Sequence, residues 1–240
     1  MNRNNYEVEN LWNESAQSVS KAFPTLMSKV YVWMTLALVI TGLTAYGIAG
    51  SPGLVMAIAT NSLLFWGLII AEFALVLGVS AAINRLSLPV ASLLFILYSV
   101  VNGATLSIIF LAYTLSSITS VFFITAGTFG VMALVGATTK KDLTSIGKVA
   151  FFALIGIIIA TLVNVFFLKS TGLNLIISYL GVLVFVCLTA YDAQKIKQMM
   201  MEAPDAGAQM QKLALLGALT LYLDFVNLFI YLLRIFGDRK

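Results

Sequence analysis

Three carboxylic acids lie in or at the ends of the long apolar segments of this 240-residue chain. They are Glu72, Asp192 and Asp224. Asp224 is the only charged residue between Lys212 and Arg234, and a charge at the centre of a membrane helix costs about 2.5 to 3.5 kcal/mol on insertion scales. Carboxylates in such positions usually face a polar interior, a partner or an ion path. These acids are therefore the first candidates for function.

Asp192 and Asp224 could act together as a proton switch. If the two carboxyl groups approach closely, they can share one proton near neutral pH, because like charges repel strongly in a medium of low dielectric constant. Loss of that proton would create a repulsion that helix separation, a cation or Arg85 could relieve. Two alternatives stay open: Asp192 could simply end a helix in solvent, and Asp224 could be paired only for folding.

The last apolar segment also carries a stripe of polar residues. Thr220, Asp224, Asn227, Tyr231 and Arg234 are spaced so that they fall on one side of a helix. In a bilayer such a stripe should face other helices or water rather than lipid. We therefore expect this helix at the centre of the bundle, with Thr220, Asn227 and Tyr231 as candidates for an ion path.

Other polar residues in or near the predicted membrane helices are weaker candidates for a functional role. Glu72 could face the same ion path or lie protonated against a neighbouring helix. Arg85 is a candidate gate partner for the aspartates, although a snorkelling anchor at the membrane surface is the simpler interpretation. Asn102 and Asn164 are expected to make hydrogen bonds between helices.

The residue types exclude several kinds of chemistry. The chain has no histidine, and Cys187 is its only cysteine, so imidazole ligands and an intrachain disulfide are excluded. Enzyme motifs are absent, and we expect neither an enzymatic activity nor a cofactor. Ca²⁺ takes about six to eight oxygen ligands. Asp192 and Asp224 could therefore hold calcium only weakly and transiently, which suits a permeant ion.

The composition predicts an all-α integral membrane protein. Hydrophobic residues make up 60% of the chain and charged residues 10%, against about 25% charged in soluble domains. Residues 1–29 are interpreted as a cytoplasmic tail or surface helix, and residues 30–237 as one seven-helix domain. The predicted helices span about residues 30–50, 55–83, 88–112, 119–137, 149–168, 172–192 and 212–236.

The distribution of basic residues predicts a cytoplasmic amino terminus. With that orientation ten Lys and Arg residues lie on the cytoplasmic side, and only Lys169 lies in an external loop. The ten are Arg3, Lys21, Lys29, Arg85, Lys140, Lys141, Lys148, Lys195, Lys197 and Lys212. The net charge of +4 is thus explained by membrane orientation, and no nucleic acid partner is expected. A complete seventh crossing would leave Arg239 and Lys240 outside, so the last helix either crosses against the charge rule or is a partial element.

Several sequence motifs resemble one family of membrane proteins. The chain is similar to the Bax-inhibitor/YccA family, also called the transmembrane Bax inhibitor motif proteins, and especially to its bacterial YbhL-like branch. The similarity extends from about Lys29 to Gly237. The matching motifs are Leu219–Phe229, Leu232–Gly237, Ala190–Lys197 and Thr138–Leu143.

This resemblance implies a fold and an activity. It implies six helices around a central seventh, in the inner membrane of a bacterium, and a pH-sensitive calcium leak. It also implies that Asp192 and Asp224 form the proton-sensing pair, with Arg85 and Glu72 at matching positions of the second helix.

We therefore expect a cation leak channel, with calcium as the main candidate ion, gated by protonation of Asp192 and Asp224. One alternative is a non-conducting regulator that binds another membrane protein, such as a membrane protease or a stress-response protein. A further alternative is a proton-coupled exchanger of small solutes, for which buried carboxylates are equally suitable.

Overall fold

The fold consists of α-helices that follow one another along the chain. The computed structural model describes the backbone of residues 3–202 and 207–240, and the side chains of residues 23–202 and 207–240. The helices are α1 (Arg3–Ala49), α2 (Pro52–Thr60), α3 (Ser62–Ala82), α4 (Leu88–Leu106), α5 (Ile109–Ala112), α6 (Leu115–Thr138), α7 (Thr144–Val163), α8 (Thr171–Met201) and α9 (Ala208–Phe236), with a π-helical turn at Asn164–Leu168.

Seven of the described segments are long and apolar enough to cross a membrane, which confirms the predicted fold class. They comprise α1 from Phe23, α3, α4 with α5, α6, α7 with the π-helical turn, α8, and α9. No β-strand occurs in the described parts of the chain. In those parts, one isolated antiparallel β-bridge pairs Tyr113 with Arg239.

Short polar residues begin several of these helices. Asn61 has an extended backbone, and its side chain accepts a hydrogen bond from the N–H of Leu64. The predicted single helix over residues 55–83 is therefore wrong, because Asn61 ends α2 and caps α3. Thr114 and Ser170 cap α6 and α8 in the same way.

Two predicted helix boundaries also differ from the structure. The first helix begins at Arg3 rather than near Val30, and Leu26 and Val30 are fully buried. The sixth membrane helix does not end at Asp192 but continues to Met201. The polar residues after Asp192 misled the prediction, because they lie on a helix that continues beyond the apolar segment and binds neighbouring loops.

The carboxyl-terminal helix α9 is the centre of the bundle, as predicted. It is the most buried of the seven membrane-length segments, and α1, α4, α6 and α8 pack directly against it. Its apolar side is the buried one: Leu221 and Leu228 are fully inaccessible, and Phe225 is 4% exposed. Helix α7 packs outside α8, and α3 packs against α4 and faces α9 across a cavity.

Helix α9 crosses the bundle completely. At its far end the chain continues to Lys240 along the start of α6, where the N–H of Thr114 donates to the carbonyl of Asp238 and the N–H of Lys240 donates to the carbonyl of Ala112. Helix α9 is also long and apolar enough to cross a membrane, so the structure favours the complete crossing over the partial element.

The opposite end of the bundle is held by hydrogen bonds from polar side chains to loops. Lys212, near the start of α9, binds the carbonyl oxygens of Asn84 and Leu86 in the α3–α4 turn. Gln194 of α8 binds the loop between α6 and α7. In that loop the Asp142 carboxylate accepts hydrogen bonds from the hydroxyl and the N–H of Thr144, which hold the pKa of Asp142 below its usual value.

Candidate functional site

The fold brings Asp192 of α8 and Asp224 of α9 into direct contact. Their carboxyl groups lie within hydrogen-bonding reach of each other. Asp224 is 4% exposed, and its Oδ2 atom has no hydrogen-bond partner among the described residues. Asp192 is half-buried. The alternative in which Asp192 merely ends a helix in solvent is therefore excluded.

Small residues allow α8 to come close enough for this contact. The backbone of Ala190 lies directly against Gly136 of α6, where a Cβ atom would clash with the Ala190 carbonyl oxygen. On the other side of the pair, a Cβ at Gly217 of α9 would lie 3.2 Å from the side chain of Ile196. Helix α8 therefore packs closely between α6 and α9 at the level of the aspartates.

The pair has the chemistry of a proton or cation site. The positive charge of Lys195 acts on Asp192, and its ammonium lies 5.8 Å from the ring centroid of Tyr191. Neither aspartate forms a salt bridge with a described Lys or Arg residue. Two carboxylates in contact inside a low-dielectric bundle cannot both be ionised without a compensating charge, so they either share a proton or attract a cation.

A tight metal site is not formed around these aspartates. No group of three or more His, Cys, Asp or Glu side chains suited to a metal ion occurs in the described part of the chain. Two carboxyl groups provide too few ligands for a high-affinity Ca²⁺ site, which takes about six to eight oxygens.

The polar stripe of α9 lies at the seam between α8 and α3. Asp224 contacts α8, and the ring of Tyr231 stacks on Phe185 of the same helix at 5.9 Å. Asn227 instead lines a cavity together with residues of α3 and α4. Thr220 is half-buried, and its hydroxyl donates to the carbonyl of Leu216 within α9. Apart from Asp224, the residues of the stripe are less buried than the apolar side of the helix.

Arg85 is not brought to the aspartate pair. It is exposed in the turn after α3, and it forms no salt bridge with any carboxylate that the structure describes. No contact in this conformation supports the role of gate partner that was predicted for Arg85.

Glu72 belongs to a separate polar cluster on the other side of the seam. Its Oε2 accepts a hydrogen bond of 3.3 Å from the Asn102 amide, whereas its Oε1 has no partner among the described residues. The two side chains line a cavity of about 270 Å³ that also contains Asn227. Glu72 and the aspartate pair therefore occupy different sites beside the polar stripe of α9.

The central residue of this cluster is Tyr222, which is not among the candidates predicted from the sequence. Its hydroxyl donates to Asn102 Oδ1 at 2.9 Å and lies 2.6 Å from Thr41 Oγ1. The interhelical role predicted for Asn102 is confirmed, since its amide group joins α3 to α9. Tyr222 could have been noticed as a hydroxyl on the otherwise apolar face of α9, two residues before Asp224.

Comparison with known proteins identifies the family. A family model described as "Inhibitor of apoptosis-promoting Bax1" matches residues 24–240. Inner membrane protein YbhL of Escherichia coli is 51% identical over 218 residues, which cover 90% of this chain and 92% of that protein. An uncharacterized protein of Borreliella burgdorferi is 45% identical over 214 residues, covering 89% and 92% of the two chains.

A more distant relative matches over almost its whole length. An uncharacterized membrane protein of Streptococcus pyogenes is 34% identical over 227 residues, which cover 95% of this chain and 96% of the relative. These matches confirm the resemblance seen in the carboxyl-terminal motifs. With seven membrane-length helices and a family model that covers it from residue 24 to its end, this multi-pass membrane protein belongs to the Bax inhibitor family.

Proposed function

We propose that this protein is a pH-sensitive cation leak channel, with calcium as the permeant ion and with Asp192 and Asp224 as its gate. The observation that carries the proposal is the contact between two carboxyl groups, of which Asp224 is 4% exposed and has one oxygen without a hydrogen-bond partner among the described residues. Such a pair requires a proton or a cation, and its state must respond to pH.

Electrostatic repulsion supplies the gating force. With one shared proton, the pair holds α8 against α9. After that proton is lost, two unit charges about 4 Å apart repel each other by about 4 kcal/mol at an effective dielectric constant of 20. This energy matches the few kcal/mol that commonly separate two conformations of a protein. Deprotonation therefore favours separation of α8 from α9 or entry of a cation between them.

The polar stripe of α9 supports an ion path beside this gate. Asn227 and Glu72 both place an oxygen atom at the cavity between α3, α4 and α9. Each position offers few ligands, so a cation would bind weakly at each and move on, as conduction requires.

The location follows from the relatives and from the charge distribution. The Escherichia coli relative is named as an inner membrane protein, and we place this chain in the inner membrane of a bacterium. The Lys-rich loops favour a cytoplasmic amino terminus.

Calcium flux into liposomes that contain the purified full-length protein would test the proposal. Flux would be measured at about pH 6 and about pH 8, which bracket the range in which a shared carboxyl proton titrates. We expect the wild-type flux to change several-fold, because one titrating proton changes a population by up to about tenfold per pH unit. Asp192→Asn and Asp224→Asn should each remove most of this pH dependence.

A matched control removes a carboxylate just beyond the end of the same helix and leaves both aspartates unchanged. Glu202 is exposed just after the end of α8, and Glu202→Gln should keep the wild-type pH profile. Unchanged pH dependence in both aspartate variants would refute the gate. Flux no higher than in empty liposomes would refute the channel and favour the regulator that binds another membrane protein.

A further inference from the structure

A cavity of about 460 Å³ with both polar and apolar walls lies at the end of the bundle opposite the Lys-rich loops. Its volume is within the range of small-molecule sites, about 300 to 1,000 Å³. Helices α7, α8 and α9 and the carboxyl-terminal segment contribute to its wall. The lining residues with polar side chains are Tyr113, Thr161, Thr171, Asn174, Ser178, Arg234 and Arg239.

The cavity has a strong positive charge that no described side chain neutralises. Arg234 and Arg239 both line it, no carboxylate does, and neither arginine forms a salt bridge with an acidic residue in the described ranges. Guanidinium groups bind carboxylates and phosphates through two parallel hydrogen bonds, so two of them in one cavity are suited to an oxyanion.

The fold positions both arginines at the cavity. The guanidinium of Arg234 lies 5.5 Å from the ring centroid of Tyr231, which itself packs against Gly181 of α8. The backbone of Arg239 forms an antiparallel β-bridge with Tyr113. The side chain of Arg234 and the backbone of Arg239 are thus positioned before binding, which lowers the entropy lost on binding.

The connection between α7 and α8 completes the wall of the cavity. Asn164 is 1% exposed, and its amide group donates to the carbonyl of Ser170 and to Asn174 Oδ1. Its side-chain carbonyl accepts from the N–H of Ser170. These bonds hold the first turn of α8 at the cavity, where the amide N–H₂ of Asn174 and the hydroxyl of Thr171 can add hydrogen bonds to a ligand.

We propose that this cavity binds a phosphate-class oxyanion between Arg234 and Arg239. The source is either the phosphodiester headgroup of an anionic phospholipid or a free phosphate. Val165 and Leu175 also line the cavity and are 53% and 47% exposed, so an apolar rim meets the polar floor. This rim is where the acyl chains of a lipid would continue into the membrane. The site does not depend on the proposed channel function.

A bound anion would also explain how α9 crosses against the charge rule. Arg234, Arg239 and Lys240 lie at the end of the bundle that otherwise carries few basic residues. Positive charge on the external side opposes the usual orientation bias. Neutralisation by a phosphate in the cavity removes this conflict.

Native mass spectrometry of the full-length protein in a neutral detergent tests the site. The protein would be titrated with phosphatidylglycerol, with phosphatidylcholine, and with inorganic phosphate as competitor. We expect one tightly bound phosphatidylglycerol per chain and no comparable binding of phosphatidylcholine. Arg234→Gln and Arg239→Gln should each weaken phosphatidylglycerol binding about tenfold or more, because each removes a bidentate donor.

Two further variants test whether binding depends on these arginines rather than on positive charge in general, and whether loss of binding is caused by misfolding. Lys169 is exposed in the nearby turn but does not line the cavity, so Lys169→Gln should leave binding unchanged. Arg234→Lys keeps the charge and loses the planar fork, and should give intermediate affinity with an unaltered helix content by circular dichroism.

The same titrations also distinguish the two candidate ligands, a phospholipid headgroup and a free phosphate. Binding of phosphatidylglycerol that inorganic phosphate does not displace supports a lipid headgroup, whereas saturable binding of inorganic phosphate alone supports a soluble anion. The proposal is overturned if neither ligand binds, if phosphatidylcholine binds as well as phosphatidylglycerol, or if Lys169→Gln weakens binding as much as the arginine variants do.

Discussion

At the scale of single residues, α9 carries two polar centres on opposite faces. Asp224 contacts Asp192 of α8, and Tyr222 bonds Asn102 of α4 and Thr41 of α1. Tyr222 is fully buried, so its hydroxyl depends on these partners. Helix α9 thereby connects a carboxyl pair on one face, which forms no salt bridge with a described Lys or Arg residue, to a hydrogen-bonded network on the opposite face. The network can hold α9 in place while the carboxyl pair changes its protonation state.

The Tyr222 network should stabilise the bundle measurably. Tyr222→Phe keeps the ring and leaves Asn102 without its donor, so we expect a loss of about 1 to 2 kcal/mol in the free energy of unfolding. Unfolding in mixed detergent, followed by circular dichroism, would measure it. Tyr98→Phe is the control, because the Tyr98 ring contacts Tyr222 at 5.6 Å but its hydroxyl makes no hydrogen bond among the described residues. Equal losses in the two variants would contradict a role for the hydroxyl network.

At the scale of helices, close approach at glycines positions the aspartate pair. Gly136 allows α6 to lie against the backbone of Ala190, two residues before Asp192. Gly181 similarly lies against the ring of Tyr231. Helix α8 therefore contacts both α6 and α9 closely on the part of the chain that carries Asp192. These contacts set how closely the two aspartates approach each other.

Two glycines of the same helix provide a direct test of this arrangement. Gly136→Ala forces α6 and α8 apart, and we expect a loss of about 1 to 3 kcal/mol in stability together with an altered pH response of flux. A methyl group added at Gly130 would have no neighbouring side chain or helix within 4 Å, so Gly130→Ala should be neutral or slightly stabilising, by up to about 1 kcal/mol. Thermal unfolding in detergent would compare them, and similar behaviour of both variants would show that the contact is unimportant.

At the scale of the whole molecule, an odd number of crossings places the two ends of the membrane domain on opposite sides. The carboxyl-terminal segment lies beside the α7–α8 turn, whereas Lys141 contacts Gln194 at the other end of α8. The basic residues are therefore divided unequally between the two surfaces, and the less basic surface carries the proposed anion site.

Labelling of single cysteines would test this orientation. In a Cys187→Ala background, Lys240→Cys and Lys169→Cys should react with a membrane-impermeant maleimide added outside spheroplasts, because both lie at the same end of the bundle. Lys141→Cys should react only after the membrane is opened. If Lys169→Cys is labelled but Lys240→Cys is protected, the carboxyl terminus does not reach the outer surface.

The sequence by itself determined the class of fold and singled out Asp224 as an acid inside a membrane-length helix. Long apolar segments without charges can only be membrane helices, and a lone Asp224 inside one of them is costly enough to mark a site. Helix ends were predicted less well, because Asn61 and the residues after Asp192 act through capping and loop contacts rather than through hydrophobicity.

Only the tertiary structure decided which polar groups meet. Asp192 and Asp224 are separated by 32 positions in the numbering. The family resemblance implies that they form a pair, but helix periodicity alone does not show that α8 and α9 bring them into contact. The same holds for Arg234 and Arg239 at one cavity, for the separation of Arg85 from the aspartates, and for Tyr222 at the centre of a network. Helix periodicity assigns a residue to a face, but packing between helices decides what that face touches.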